Sequence, residues 1–272
     1  MKKIVMIICA ALFMTKFLHA NENEIKWGPI QDNSFLLEEA YNQEYGVIQH
    51  ISAYRLFDGG SWLYTFTQEW PVPGQKHQLS FTIPFSRVDF TGGEASGLSD
   101  LVLNYRYQLV GNGETNIALA PRFSVLLSTG DERKGLGSGG TGFQVNLPLS
   151  AVLHPQLVAH MNVGFTHFPS ARDEFRDKAS TTNFNVGQSF IWQVTMRFNI
   201  LFEVVLESLE PVIAPNRTER TNEVFISPGV RWAHNFKNGL QIVPGIAFPI
   251  RTQSENDNSV FLYLSFEHPL WK

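Results

Sequence analysis

The stretch Asn116-Ile-Ala-Leu-Ala-Pro-Arg-Phe-Ser-Val-Leu-Leu-Ser-Thr-Gly130 alternates strictly through most of its length. Successive side chains of an extended chain point to opposite faces. Ile117, Leu119, Phe123, Val125 and Leu127 therefore share one side, and Ala118, Ala120, Arg122, Ser124 and Ser128 share the other. One face is apolar, and the other carries a guanidinium in mid-strand. A soluble sheet buries the first face and wets the second. A membrane barrel turns the first to lipid and the second to a watery axis. Alternation alone does not choose between them, so the decision comes from the rest of the chain.

The same period of two runs from Tyr45 to the C-terminal end. Twelve segments of about ten residues carry it, near 45–56, 61–71, 76–88, 98–109, 115–128, 141–153, 157–168, 181–193, 196–208, 222–234, 240–251 and 258–267. Tight-turn residues lie at Pro73-Gly74, Asn112-Gly113, His154-Pro155, Gln193-Val194 and Asn238-Gly239, and they interleave with longer polar stretches at 91–97, 130–140, 169–180, 210–221 and 252–258. The turn at Asp58-Gly59-Gly60 is shorter than the others expected on its rim. Sorting of loops by parity along an even number of strands is the signature of an up-and-down barrel, whereas sandwiches with Greek-key crossings do not sort in this way. The fold class expected is all-β, a closed antiparallel transmembrane barrel of about twelve strands.

Past the first twenty residues no apolar run reaches the length a spanning helix needs. Those twenty, MKKIVMIICAALFMTKFLHA, place Lys2 and Lys3 ahead of an apolar run and end on Ala20, the pattern of a secretory signal peptide. Removing them takes Lys2, Lys3 and Lys16 but no acid from 21 basic and 25 acidic residues, and it removes the single cysteine, Cys9. The mature chain is then mildly acidic, without basic clusters that would suit a nucleic acid and without a thiol for disulfides or Cys-based metal sites. The division expected is 1–20 signal peptide, 21–43 a periplasmic lead-in and 44–272 an outer-membrane barrel. Trp62, Trp70, Trp192, Trp232 and Trp271, near strand ends, suit the aromatic girdles of such a barrel.

On this reading the rows headed by Leu103, Phe143, Phe202, Ile246 and Leu262 face lipid. The opposite rows place Arg106, Arg122, Arg197, Glu203, Glu207, Glu223, Arg231, Arg251 and Glu267 in the lumen, where they line a path for a small solute. Glu203, Glu207, Glu223 and Glu267 are the expected ionic partners of Arg122. Rings of mixed charge narrow a pore and set its selectivity.

The segments 34–50, 66–86, 97–110 and 118–150 resemble the bacterial outer-membrane transporter family associated with the phenol meta-cleavage pathway. The most specific elements are Gly97-Leu-x-Asp100 and the Pro121-Arg-Phe strand that leads into Thr129-Gly-Asp131 and a Gly-rich loop. The resemblance implies passage of small, often aromatic or apolar molecules across the outer membrane. The chain departs from the usual aromatic C-terminus of such barrels, because Lys272 follows Trp271.

Other chemistry has weak support. The eight histidines form no metal-binding spacing, GLGSGGTG at 135–142 lacks the Lys-Ser/Thr ending of a phosphate loop, and no nucleophile-elbow motif occurs. The expectation is a channel and not an enzyme, with no catalytic residue, metal or cofactor. Its expected partners are outer-membrane lipids, the barrel assembly machinery and a small solute, with no nucleic acid. Two alternatives stay open: a nonconducting barrel plugged by its own side chains, and a lipid-acting enzyme, which requires a Ser–His pair at hydrogen-bonding distance. The pair Glu38-Glu39 lies ahead of the first strand, either as a solvated face or as a seal at the periplasmic mouth.

Overall fold

The computed structural model describes residues 33–253 and 258–269. The expected signal peptide, the first part of the lead-in and Trp271 lie outside the described residues. Twelve staves follow in chain order: β1 Val47–Phe57, β2 Trp62–Pro71, β3 His77–Phe90, β4 in two runs (Gly93–Leu98 and Leu101–Tyr107), β5 in two runs (Ile117–Leu119 and Arg122–Leu127) and β6 Gly142–His154. Then come β7 Leu157–Arg172, β8 Lys178–Thr195, β9 Phe198–Leu209, β10 Thr221–Trp232, β11 in two runs (Gln241–Ala247 and Ile250–Arg251) and β12 Ser259–Pro269. Each stave pairs antiparallel with its chain neighbour, and β12 returns to β1 with Val47 opposite Pro269 and Phe57 opposite Ser259. The sheet is thereby closed, and no stave leaves an edge of bare backbone groups, as hydrocarbon demands.

Proline marks the irregularities. Pro84 in β3 has no N–H to give β4, and the register slips by one there, from Phe85 opposite Leu98 to Thr82 opposite Val102. Pro121 interrupts β5 without a slip, since Leu119 faces Leu149 and Arg122 faces Asn146. The gap at 99–100 frees Asp100 from the ladder, and its carboxylate accepts from the Gly130 N–H (3.0 Å), the Ser138 N–H (2.7 Å) and the Ser138 hydroxyl (2.6 Å). Asp100, the most distinctive residue of the Gly-Leu-x-Asp motif, thus ties down the Gly-rich loop.

The long loops expected at 91–97 and 169–180 are shorter than the sequence suggested. Strands β3 and β4 run on to a turn at Thr91-Gly92, made possible by Gly93 at φ +120°, and β7 and β8 extend to Arg172 and Lys178. Small polar residues there do not stop a ladder from continuing above the apolar band. The connections 128–141 and 210–220 remain long, the second folding into a small hairpin of Val212–Ala214 against Arg217–Thr218.

Side-chain exposure settles which way the faces turn. Leu103 (50%), Phe123 (47%), Phe202 (45%) and Leu262 (47%) lie on the outer surface, whereas Ala118, Ala120, Ser124, Asn199 and Glu203 are fully buried within the ring. A soluble β domain would show the reverse. Trp62 and Trp70 sit at opposite ends of β2, Trp192 near the end of β8 and Trp232 at the end of β10. The apolar exterior is therefore framed by indoles.

Candidate functional site: a lumen occupied by the N-terminal segment

Residues expected ahead of the barrel run inside it. From Asn33 to Gln43 the chain is irregular, and its amides find acceptors on inward-facing side chains instead of in a ladder. The N–H groups of Phe35 and Leu36 both donate to Glu203 Oε1 (3.1 Å each), Glu38 N–H donates to Asn162 Oδ1 (2.9 Å) and Ala40 N–H to Ser150 Oγ (2.7 Å). Asn42 N–H donates to Gln108 Oε1 (2.9 Å) and Gln43 N–H to Gln78 Oε1 (2.7 Å). Asn162 Nδ2 and Gln108 Nε2 return bonds to the carbonyls of Glu38 (2.7 Å) and Ala40 (2.8 Å). Buried backbone groups must be paired, and short polar side chains of the wall do the pairing here.

Glycines create the room. A Cβ added at Gly187 would lie 2.4 Å from Leu37 Cδ2, and one at Gly245 would lie 2.5 Å from Phe35 Cζ. Leu37 is consequently buried, and Ala40 and Tyr41 are buried further along the segment. Phe35 packs against Phe261 and Tyr263, with ring centroids 5.6 and 5.3 Å away. Tyr41 meets the His160 ring edge-on at 5.8 Å.

The opposing wall is charged. Arg106 of β4 and Arg122 of β5 are directly paired across the sheet. Like charges so placed repel, and the Glu38-Glu39 pair on the segment offsets them. Glu38 Oε1 lies 2.9 Å from Arg122 Nη2, and Arg106 Nη1 lies 3.7 Å from Glu39 and 4.0 Å from Glu38. Arg106 also donates to the Tyr41 carbonyl and, at 3.0 Å, to Asn42 Oδ1. Arg122 donates to Gln144 as well, and Asn146 Nδ2 donates to Glu38 Oε1 (2.9 Å). Below them a polar belt joins Glu267, Gln49 and Glu69 in directly paired positions, with Gln49 donating to Glu267 (2.6 Å) and Gln78 to Glu69 (2.8 Å). Between segment and wall lies a cavity of about 360 Å³, bordered by Glu38, Arg106, Arg122, Leu63, Phe261 and Tyr263 among others.

The charged residues named from the sequence divide into groups. Arg106, Arg122 and Glu203 bind the segment, and Arg231 is buried in the lumen wall. Glu223 pairs with Arg251 higher in the ring, with Glu207 in electrostatic reach of Arg55 and Arg251, while Glu267 belongs to the belt. Arg197 does not line the lumen. Strand β8 ends at Thr195 and β9 begins at Phe198, so Arg197 falls in an exposed turn, where strand parity no longer fixes a side chain's direction. Nor does Arg122 pair with Glu203, Glu207, Glu223 or Glu267, because Glu38 reaches it first. Sequence reasoning missed the uncharged anchors Asn162, Ser150, Gln108 and Gln78 as a set, and the glycines that admit the segment.

A Ser–His contact is present: Ser150 Oγ lies 2.7 Å from His160 Nδ1. Both residues are buried, and Ser150 already accepts the Ala40 N–H beneath Tyr41. The pair anchors the segment, and a substrate has no approach to it while Ala40 and Tyr41 are in place.

Several outer-membrane proteins of known structure share this architecture. The NanC porin superposes with a TM-score of 0.55 at 10% identity, covering 82% of this chain and all of that one. The KdgM porin gives 0.52 at 8% identity over 81% of this chain and 98% of that one. An outer membrane channel from Pseudomonas putida F1 gives 0.59 at 13% identity over 84% and 97%. The likeness is one of fold. No family model matches the sequence, and no curated protein matches it either.

Proposed function

We propose that the chain is an outer-membrane channel for passive passage of small solutes, with residues 33–43 as a resident constriction. The observation that carries this reading is the cavity of about 360 Å³ beside the segment, which leaves part of the bore unfilled. Ligand sites of this kind fall at roughly 300–1,000 Å³. A barrel of about twelve strands lies between small filled barrels and wide porins, which favours a narrow path. The fold shared with porins and channels supports the same role and an outer-membrane location. The cavity joins apolar Leu63, Ile51, Phe261 and Tyr263 to charged Arg106, Arg122 and Glu69. That lining suits a small aromatic molecule with a polar end, in keeping with the cargo implied by the sequence resemblance.

The test is conductance of the purified chain in planar bilayers, together with swelling of proteoliposomes in small aromatic solutes and in sugars. Small current steps and faster entry of the aromatic solutes are expected. The second reading, a nonconducting barrel, draws on the dense bonding of the segment, and it predicts silence in both assays.

A further inference from the structure

We propose that Arg122, with Arg106 paired beside it, is a carboxylate-recognition site now filled by Glu38, and that a small carboxylic acid enters the cavity by taking Glu38's place. This rests on the channel reading and names the solute class. Three observations carry it. The first is that the guanidinium of Arg122 is incompletely used. Its Nη2 serves both Glu38 and Gln144, whereas among the described residues its Nε is a buried donor with no acceptor. Arg and a carboxylate form their strongest pair through two parallel N–H···O bonds. Glu38, whose backbone N–H and carbonyl are both held by the Asn162 side chain, reaches one end of the fork only.

The second is access. Arg122 and Glu38 border the cavity, and their side chains are 21% and 25% exposed, unlike that of Arg106 at 5%. The third is charge. Glu38, Glu39 and Glu69 border this space together with Arg55, Arg106 and Arg122, so the charges already balance and an added anion gains little while Glu38 stays on Arg122. A neutral solute that displaced Glu38 would leave a poorly solvated cation unpaired. A carboxylic acid that exchanges with Glu38 keeps the local charge unchanged and completes the fork. Its hydrocarbon part then lies toward Leu63, Phe261 and Tyr263. Exchange also releases what is, among the described residues, the segment's only ionic hold on β5, which links cargo entry to loosening of the constriction.

The experiment is equilibrium titration of the full chain in detergent with benzoate and with benzyl alcohol as neutral control. In Glu38→Gln the competing carboxylate is gone, and benzoate affinity is expected to rise about tenfold. In Arg122→Gln it is expected to fall by about tenfold or more, in line with loss of a charge-assisted bond. Arg122→Lys, which keeps the charge and loses the fork, should fall between wild type and Arg122→Gln. Benzyl alcohol should not respond to any of the three. Heat-modifiable migration on gels confirms that each variant is a folded barrel. Equal binding of benzoate and benzyl alcohol, or benzoate binding indifferent to Arg122→Gln, overturns the proposal. Conductance is scored separately: a conducting channel with no carboxylate preference sinks this inference alone, and Arg122-dependent benzoate binding without conductance sinks the channel reading alone.

Discussion

Replacing Gly187 by valine separates the segment from the barrel that holds it. The backbone at Gly187 faces Leu37, and a Cβ there would stand 2.4, 3.1 and 3.2 Å from the Cδ2, Cδ1 and Cγ atoms of that leucine. The two further methyl groups of valine extend into the same space, so Leu37, now 8% exposed, has to leave it. Full burial of a leucine side chain is worth about 1.5–3 kcal/mol. At tenfold per 1.4 kcal/mol, the seated segment loses roughly ten- to hundredfold in relative population. The staves themselves gain, because a β-branched residue suits a strand and removing a glycine from its interior relieves about 0.5–1 kcal/mol of chain entropy. The expected outcome is a barrel at least as resistant to unfolding, with higher conductance in planar bilayers and faster proteolysis between residues 33 and 43. Unchanged conductance and unchanged protease resistance in a folded Gly187→Val barrel would refute the idea that this glycine seats the segment.

Asn162→Ala removes both bonds to the backbone of Glu38, and amide exchange at Glu38 should quicken about tenfold, reflecting roughly 1–2 kcal/mol of lost hydrogen bonding. Leu103→Arg places a cation on the lipid face and should lower stability on refolding into vesicles by about 2–4 kcal/mol; no loss would argue that this row does not meet hydrocarbon. Asp100→Ala removes the acceptor for Gly130 and Ser138, so proteolysis in loop 128–141 should accelerate while the barrel stays intact. Glu210, just beyond β9, accepts the Thr182 N–H at 2.7 Å and pairs with Arg220 at 3.0 Å; the Thr182 bond foremost holds its carboxyl below its ordinary range. A depressed folded value means that the tie is intact at neutral pH and is lost as pH falls through that value. Protection of the Thr182 amide should therefore persist through mild acid and disappear only below the usual carboxylate range, and protection that fades near neutrality would contradict the assignment.

How much of this was legible beforehand depends on periodicity. Which residues share a face follows from alternation, and Phe123 and Ser124 fall on opposite faces as the pattern of residues 116–130 assigns them. The number of staves follows for the same reason. Starting the segment 196–208 two residues ahead of the strand that begins at Phe198 misplaces Arg197, which lies in the turn before it. The partner of Arg122 was missed because it comes from a segment with no period at all: Glu38 lies in an irregular chain held by side chains, a pairing that no alternation encodes. Two signals pointed toward it. The acidic doublet Glu38-Glu39 stood alone before the first strand, and Gly187, Gly229 and Gly245 all fell on inward positions, leaving a groove that something had to fill.

The residues that satisfy the segment's amides have a life beyond that duty. Glu203, Asn162, Ser150, Gln108 and Gln78 mark successive steps along the path of the chain. Should the segment withdraw, each step is left with an acceptor bare, and water is the species able to occupy them all at once. An emptied bore is accordingly a wetted file, not an oily tube. If the proposed channel role holds, cargo that keeps one polar end on those steps and its carbon skeleton on the facing aromatic rings would travel there at lower cost than a molecule that is greasy all over.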